Sequence, residues 1–313
     1  DVHDKCGGVT TMGLALAEAL GDEPLAARCR AALAFLRYRQ GAYGEALALA
    51  DAARAAFEAA GDREGLAQAM GYAAVILDRQ GEYGGALAAY EASLALWRAL
   101  GDKLSAAHAL NNMGIMLTNQ GEHARAQALQ EEALALRRAA GDRWATGVSL
   151  INLGLVELNR GALAAARAQF EEALALLREV GDPQSLASCL GNLAFTLVEL
   201  GEGERARALY YECLRIHQSL SDSWMLAYLF EDLAALEGAE GEHLRALRLV
   251  GAAAALREAI GAPRNPAEAA RIAALLAAAG ETISLSDQEA AVIQGRALGP
   301  ERALSYALEE LQP

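Results

Sequence analysis

Small apolar residues recur along the chain in fixed slots. One slot is alanine every time: Ala46, Ala86, Ala126, Ala166, Ala206 and Ala246. Seven residues on, another reads Ala53, Ser93, Ala133, Ala173, Cys213 and Ala253. A third reads Ala34, Ala74, Gly114, Gly154, Ala194 and Ala234, usually preceded by a large apolar residue (Leu33, Met113, Leu153, Leu193, Leu233). Small residues facing large ones let antiparallel helices interdigitate at about 8–10 Å. The pattern therefore predicts helical hairpins, and a bulky side chain in an all-alanine slot should force a hairpin apart.

Glycines mark where the helices end. Gly-Asp recurs at Gly21-Asp22, Gly61-Asp62, Gly101-Asp102, Gly141-Asp142 and Gly181-Asp182, with Ser221-Asp222 in the sixth place. Midway lie Gly41, Gly81, Gly121, Gly161, Gly201 and Gly241. Each 40-residue unit thus holds two helices, A and B, of under 20 residues. Glycine accepts the left-handed conformation that closes a helix. The following aspartate can cap the next helix and suits its positive end.

These residues resemble the tetratricopeptide-repeat (TPR) family, whose pattern is Leu-Gly in helix A, then Ala, an aromatic and Ala in helix B. Residues 141–180 carry it as Leu153, Gly154, Ala166, Phe170 and Ala173. Tyr90 and Tyr210 also fill the aromatic slot, whereas Ala50, Gln130 and Val250 depart from it, and Gly-Asp replaces the family's closing proline. The resemblance implies an all-α fold, a right-handed TPR superhelix (α-solenoid) of about six 40-residue helix-turn-helix repeats. The units expected are 21–60, 61–100, 101–140, 141–180, 181–220 and 221–260. Residues 1–20 read as a partial repeat (helix B alone) or an N-terminal cap, and an array starting in mid-unit suggests a piece of a larger protein. Residues 261–313 read as helical capping: Pro266 in a first turn, helix from Ala267 to Ala279, a capping box at Ser286-Asp287-Gln288-Glu289, a break at Gly299-Pro300, and a last helix from Glu301 to Leu311.

The tail carries a second resemblance. Leu249 to Ala252, Leu256 to Pro263, Gly295 to Leu298 and Tyr306 to Leu308 look like the C-terminal ends of bacterial signal-transducing ATPase regulators, LuxR-type or cyclase-linked. In that family an ATPase module precedes the TPR array. No phosphate-binding GxxxxGK[ST] occurs here, so that module would lie outside this chain.

Composition narrows the partners. The chain is 54% hydrophobic and 5% aromatic, with a net charge of −14. That balance argues against nucleic acid and an anionic membrane surface, both of which need a basic face. Arginine supplies the basic residues except for Lys5 and Lys103. Cys6, Cys29, Cys189 and Cys213 form no CxxC pair and read as buried apolar positions, which fits a cytoplasmic location. No apolar run reaches membrane-spanning length.

No catalytic, metal or cofactor motif stands out: HExxH, GxSxG and EF-hand loops are absent. His123 and His243 share the slot of Tyr43 and Tyr83 and read as packing, not metal ligands; Glu131-Glu132 and Glu171-Glu172 read as a solvated face. The expectation is a binding protein, not an enzyme, without a cofactor. TPR arrays line their concave groove with helix A, so polar residues there are the binding candidates. Asn112, Asn152 and Asn192 share one slot, continued by Asp232; Asn119 and Asn159 share another, and His108 and Asn111 stand beside them. Amides of this kind can hold an extended peptide by its backbone, or they can bond neighbouring helices; both roles stay open. Arg39 and Arg79, near Phe35, Tyr38 and Asp78, form an arginine-bearing end suited to a carboxylate, while Tyr228, Glu231 and Asp232 make the other end acidic. The leading reading is the sensor or regulatory part of a multidomain bacterial regulator. It would bind a peptide or protein, its own upstream ATPase or effector domains, or a small-molecule inducer. The alternative is a free-standing scaffold holding a peptide or protein in the same groove.

Overall fold

The computed structural model describes residues 2–220 and 223–309, giving only the backbone at 2–7, 223, 224, 267 and 309. Ser221-Asp222, the side chains of His3 and Cys6, and Leu311 lie outside the described residues. Every described element is a helix. The first compact unit, residues 1–159, holds α1 (Val2–Leu20), α2 (Glu23–Arg39), α3 (Tyr43–Ala60), α4 (Arg63–Gln80), α5 (Tyr83–Leu100), α6 (Lys103–Asn119), α7 (His123–Ala140) and α8 (Arg143–Asn159). The second, residues 160–313, holds α9 (Leu163–Val180), α10 (Pro183–Glu199), α11 (Gly203–Leu220), α12 (Ser223–Ala239), α13 (His243–Ile260), α14 (Pro266–Gly280), α15 (Leu285–Arg296) and α16 (Gly299–Glu309).

The turns form as the glycine spacing predicts. Gly61, at φ 70°, closes α3 in the left-handed region, and its amide and the next bond back to Glu58 and Phe57. The aspartate that follows then opens the next helix. Asp62 Oδ1 accepts from the Gly65 amide at 2.9 Å, Asp142 Oδ1 from Ala145 at 2.9 Å, and Asp182 Oδ2 from Ser185 at 2.8 Å. Asp102 accepts from the Leu104 and Ser105 amides and from the Ser105 hydroxyl. These bonds hold its carboxyl below the usual range, although burial pushes the other way. Replacing Asp102 with alanine is expected to remove about 1 kcal/mol of stability, read as a lower urea midpoint at unchanged slope.

The small slots lie in the interior of the helix layers. Ala46, Ala86, Ala126, Ala166, Ala206 and Ala246 are all fully buried. Where the slot seven residues on is polar, it bonds across the hairpin: Ser93 Oγ donates to the Ala67 carbonyl at 2.7 Å and Cys213 Sγ to Ala187 at 3.2 Å. Burial raises the Cys189 and Cys213 thiols to about 12, so both behave as small apolar residues. In the aromatic slot, Tyr90, Phe170 and Tyr210 are buried. Gln130 occupies the same slot, also fully buried, and packs on Gly114: a Cβ there would sit 2.6 Å from Gln130 Nε2, so the amide would have to shift.

The tail departs from the expected reading in two places. The cap of α15 is Ser284, whose Oγ accepts from the Asp287 amide at 3.2 Å, so Ser286 lies inside the helix instead of opening it. The reciprocal capping box is at Asn265 and Glu268, each side chain bonding the other's backbone amide at 2.9 Å. Gly299-Pro300 begins α16 instead of merely breaking the chain, since proline suits a first helical turn.

Candidate binding cleft

In unit 1, helices α2, α4, α5 and α6 surround an open cleft of about 360 Å³. Its walls are aromatic: Phe35 and Tyr38 from α2, Tyr72 from α4, Tyr90 and Trp97 from α5. The rings of Phe35 and Tyr72 lie 5.6 Å apart, within the range of favourable aromatic pairing. Polar groups come from Gln68, Ser93, Ser105, His108 and Asn112. Apolar walls with a few placed polar groups are what small-ligand and side-chain pockets consist of. Burial lowers the His108 pKa and the Arg137 charge lowers it further, against Asp142 and Asp102, which favours the neutral imidazole.

Of the sequence candidates, His108 and Asn112 line this cleft. Arg79 stands near it, its Nε donating to the Tyr38 hydroxyl at 3.3 Å. Arg39 is exposed at the end of α2. Asn111 points elsewhere. It is 6% exposed and sits at the centre of a network: its Oδ1 accepts from Asn152 Nδ2 at 2.7 Å and from Arg137 Nη1 at 3.3 Å, and its carbonyl accepts from Gln130 Nε2 at 3.0 Å. Asn111 and Asn152 therefore tie α6, α7 and α8 together. Asn159 and Asn192 turn back on their own helices, donating to the carbonyls of Leu155 at 2.8 Å and Ser188 at 2.9 Å. Asn119 is exposed at the end of α6.

The end expected to be acidic is neutralised. In unit 2, Glu231 is fully buried and grips Arg257 through two bonds, Nε to Oε1 at 2.9 Å and Nη2 to Oε2 at 2.8 Å. Arg264 adds a third at 2.6 Å. The Arg257 guanidinium also lies 4.2 Å from the Tyr228 ring centre. Asp232 pairs with Arg271 of α14 at 2.8 Å; burial pushes its carboxyl up to about 6 against that arginine's pull. The arginines responsible all follow Glu231 and Asp232 by more than a helix, so no local pattern announces them. Sequence reasoning also missed Trp97 and Tyr72. Their signal was available, since Trp97 is one of only three tryptophans.

Glu131, Glu132 and Glu172 are exposed, and Glu132 and Glu171 carry ion pairs to Arg98 and to Arg167 and Arg205. Among the described residues no group of His, Cys, Asp and Glu could hold a metal, and no helix is long and apolar enough to cross a membrane.

Comparison with known proteins agrees on the fold. The tetratricopeptide-repeat family pattern matches residues 65–139, 104–179 and 145–219. No curated protein matches the chain. Among solved structures, the chain is similar to BtubC (BKLC) from P. vanneervenii, at 20% identity and TM-score 0.62, over 71% of this chain and 93% of that one. It is also similar to a signal transduction ATPase with numerous domains (STAND) with a tetratricopeptide repeat sensor, from Pyrococcus horikoshii. That match has 18% identity and TM-score 0.60, over 73% of this chain but 35% of the other, about a third of its length. A Rap protein complexed with Competence and Sporulation Factor matches at 16% identity and TM-score 0.62, over 92% of this chain and 74% of that one. With the repeat period, the paired helices and the left-handed glycine turns, these matches place the chain in the tetratricopeptide-repeat family.

Proposed function

We propose that the chain is a binding domain whose cleft in unit 1 receives a segment of a peptide or protein. The single observation that carries this reading is the aromatic cleft of about 360 Å³ with His108 and Asn112 at its polar edge. That volume suits an apolar or aromatic side chain, and the neutral imidazole and the amide can bond the neighbouring peptide groups. On this reading Asn112 contacts the ligand, Asn111 and Asn152 hold the helices that frame it, and the division of 21–260 into six repeats sets its spacing. Among proteins of similar fold, one is a STAND protein with a tetratricopeptide repeat sensor and another is a Rap protein complexed with Competence and Sporulation Factor, which is in keeping with a binding role. The wider role proposed is the sensor part of a multidomain regulator, supported by the C-terminal pattern from Leu249 to Leu308.

Gly71 supplies the test. It lines the cleft, and a Cβ there would meet nothing nearer than the Ser93 Oγ at 3.5 Å. Gly71→Leu should therefore fill the cleft without disturbing the helices. Peptides selected from a displayed library against the wild-type chain are expected to bind Gly71→Leu about tenfold or more weakly, with the melting temperature unchanged or raised. Undiminished binding by Gly71→Leu would place the peptide site outside the cleft.

A further inference from the structure

One slot of the second helices reads Phe57, Trp97, Arg137, Leu177, His217 and Arg257. Trp97 shows where this slot faces in unit 1, because it lines the cleft. One repeat later the slot holds Arg137, which is 3% exposed. Its Nη1 donates to three neutral acceptors: Ser149 Oγ at 2.7 Å, the Ala145 carbonyl at 3.1 Å and Asn111 Oδ1 at 3.3 Å. No carboxylate among the described residues bonds to it. Asp142 acts on it only through space, and its own carboxylate caps the Ala145 amide.

Unit 2 contains the matched counterpart. Arg257 occupies the same slot, 4% exposed, and Glu231 stands 26 residues before it, as Asn111 stands 26 residues before Arg137. The two positions share backbone placement and differ in charge. Glu231 gives Arg257 a two-bond carboxylate partner, whereas Asn111 gives Arg137 one amide oxygen at 3.3 Å. A buried guanidinium with no counter-charge is unfavourable, and a planar carboxylate is the partner its fork best fits. All three of its bonds leave from Nη1, and among the described residues neither Nε nor Nη2 bonds to a protein group. Arg137 connects to the cleft edge through Asn111, whose Oδ1 accepts from it and whose Nδ2 donates to Oδ1 of the cleft-lining Asn112 at 3.5 Å, and its charge also lowers the His108 pKa.

We propose that Arg137 is a receptor for a carboxylate of the bound peptide, completing there the pair that Glu231 completes at Arg257. The proposal rests on the cleft being the peptide site, and it names the ligand class: an acidic side chain next to an apolar or aromatic one. It also explains how a chain of net charge −14 can take an acidic ligand, since the recognising charge is local and shielded.

Two blocked dipeptides that differ only in charge, acetyl-Glu-Phe-amide and acetyl-Gln-Phe-amide, test it by calorimetric titration. The wild-type chain is expected to prefer the Glu peptide about tenfold or more. Arg137→Leu, which installs the residue of the Leu177 repeat, should remove that preference. Asn111→Glu should remove it too, by supplying an internal carboxylate, and should raise the melting temperature. It therefore remains informative if Arg137→Leu folds poorly. Failure of the Glu peptide to bind, or a preference that survives Asn111→Glu, overturns the proposal. If both peptides bind equally and Gly71→Leu abolishes both, the cleft reading stands and the carboxylate receptor falls. An equal effect from acetate alone would support the receptor but assign it to a free carboxylate.

Discussion

Glu231→Ala is expected to destabilise unit 2 by about 3–5 kcal/mol, the range for removing one partner of a buried ion pair. Glu231 is fully buried and bonded to both Arg257 and Arg264. Its loss leaves Arg257, itself 4% exposed, with Glu268 at 3.2 Å as its remaining acid. The penalty comes from the stranded charge. A double variant, Glu231→Leu with Arg257→Met, should therefore recover most of the loss, because well-packed apolar replacements of buried ion pairs are often neutral. Hydrogen exchange of the α12 and α13 amides would read both effects locally. Equal exchange in wild type and Glu231→Ala would show that the pair adds nothing to the stability of those helices. Failure of the double variant to recover would trace the loss to shape instead of charge.

Gly295→Ala is expected to undock α15 from α13, at the upper end of the roughly 1–3 kcal/mol usual for overpacking or above it. A Cβ at Gly295 would stand 1.9 Å from the Arg248 carbonyl oxygen, and one at Gly251 would stand 2.2 Å from that of Val292. Both obstacles are backbone, so no side chain can swing aside. The two helices cross with glycine against main chain on each side. Limited proteolysis should cut the 281–284 turn of Gly295→Ala far faster than that of wild type. Gly84→Ala, where an added Cβ meets nothing within 4 Å, is the matched control and should change little or stabilise slightly. Equal cleavage of Gly295→Ala and Gly84→Ala would mean that the crossing is looser than its geometry.

The parts of the fold that were legible in the sequence are those set by neighbours a few residues apart. A left-handed glycine followed by a capping aspartate is a local device, and Gly61-Asp62 behaves as its spacing predicts. The small slots are also readable, because a 40-residue period compares each position with its copies. The tail has no copies to compare, and Ser284 and Ser286 both offer a plausible cap; backbone geometry at Ser284 (φ −60°, ψ 150°) decides between them. The site was legible only in part. His108 and Asn112 reach the cleft, but Asn111, next to Asn112, faces the α7 and α8 network, because adjacent helical residues point about 100° apart. Trp97 was passed over because it belongs to helix B, whereas the family resemblance points to helix A for binding residues. Glu231 and Asp232 looked like a free acidic end because their arginines arrive from α13, α14 and the segment between them.

The turns carry a consequence for how such a chain can change length. Gly61, Gly101, Gly141 and Gly181 adopt φ values of 70°, 75°, 70° and 77°, and the aspartate after each one caps the next helix. These four joints are alike. Recombination between two copies of a gene at any pair of these turns would delete or duplicate a whole repeat and still deliver a correctly capped helix to a compatible neighbour. In an array whose stability is a sum over adjacent pairs, the number of repeats is thus free to drift. What resists drift is the odd position, such as Gln130 opposite Gly114 or Asn111 beside Arg137, which works only with the neighbour it already has.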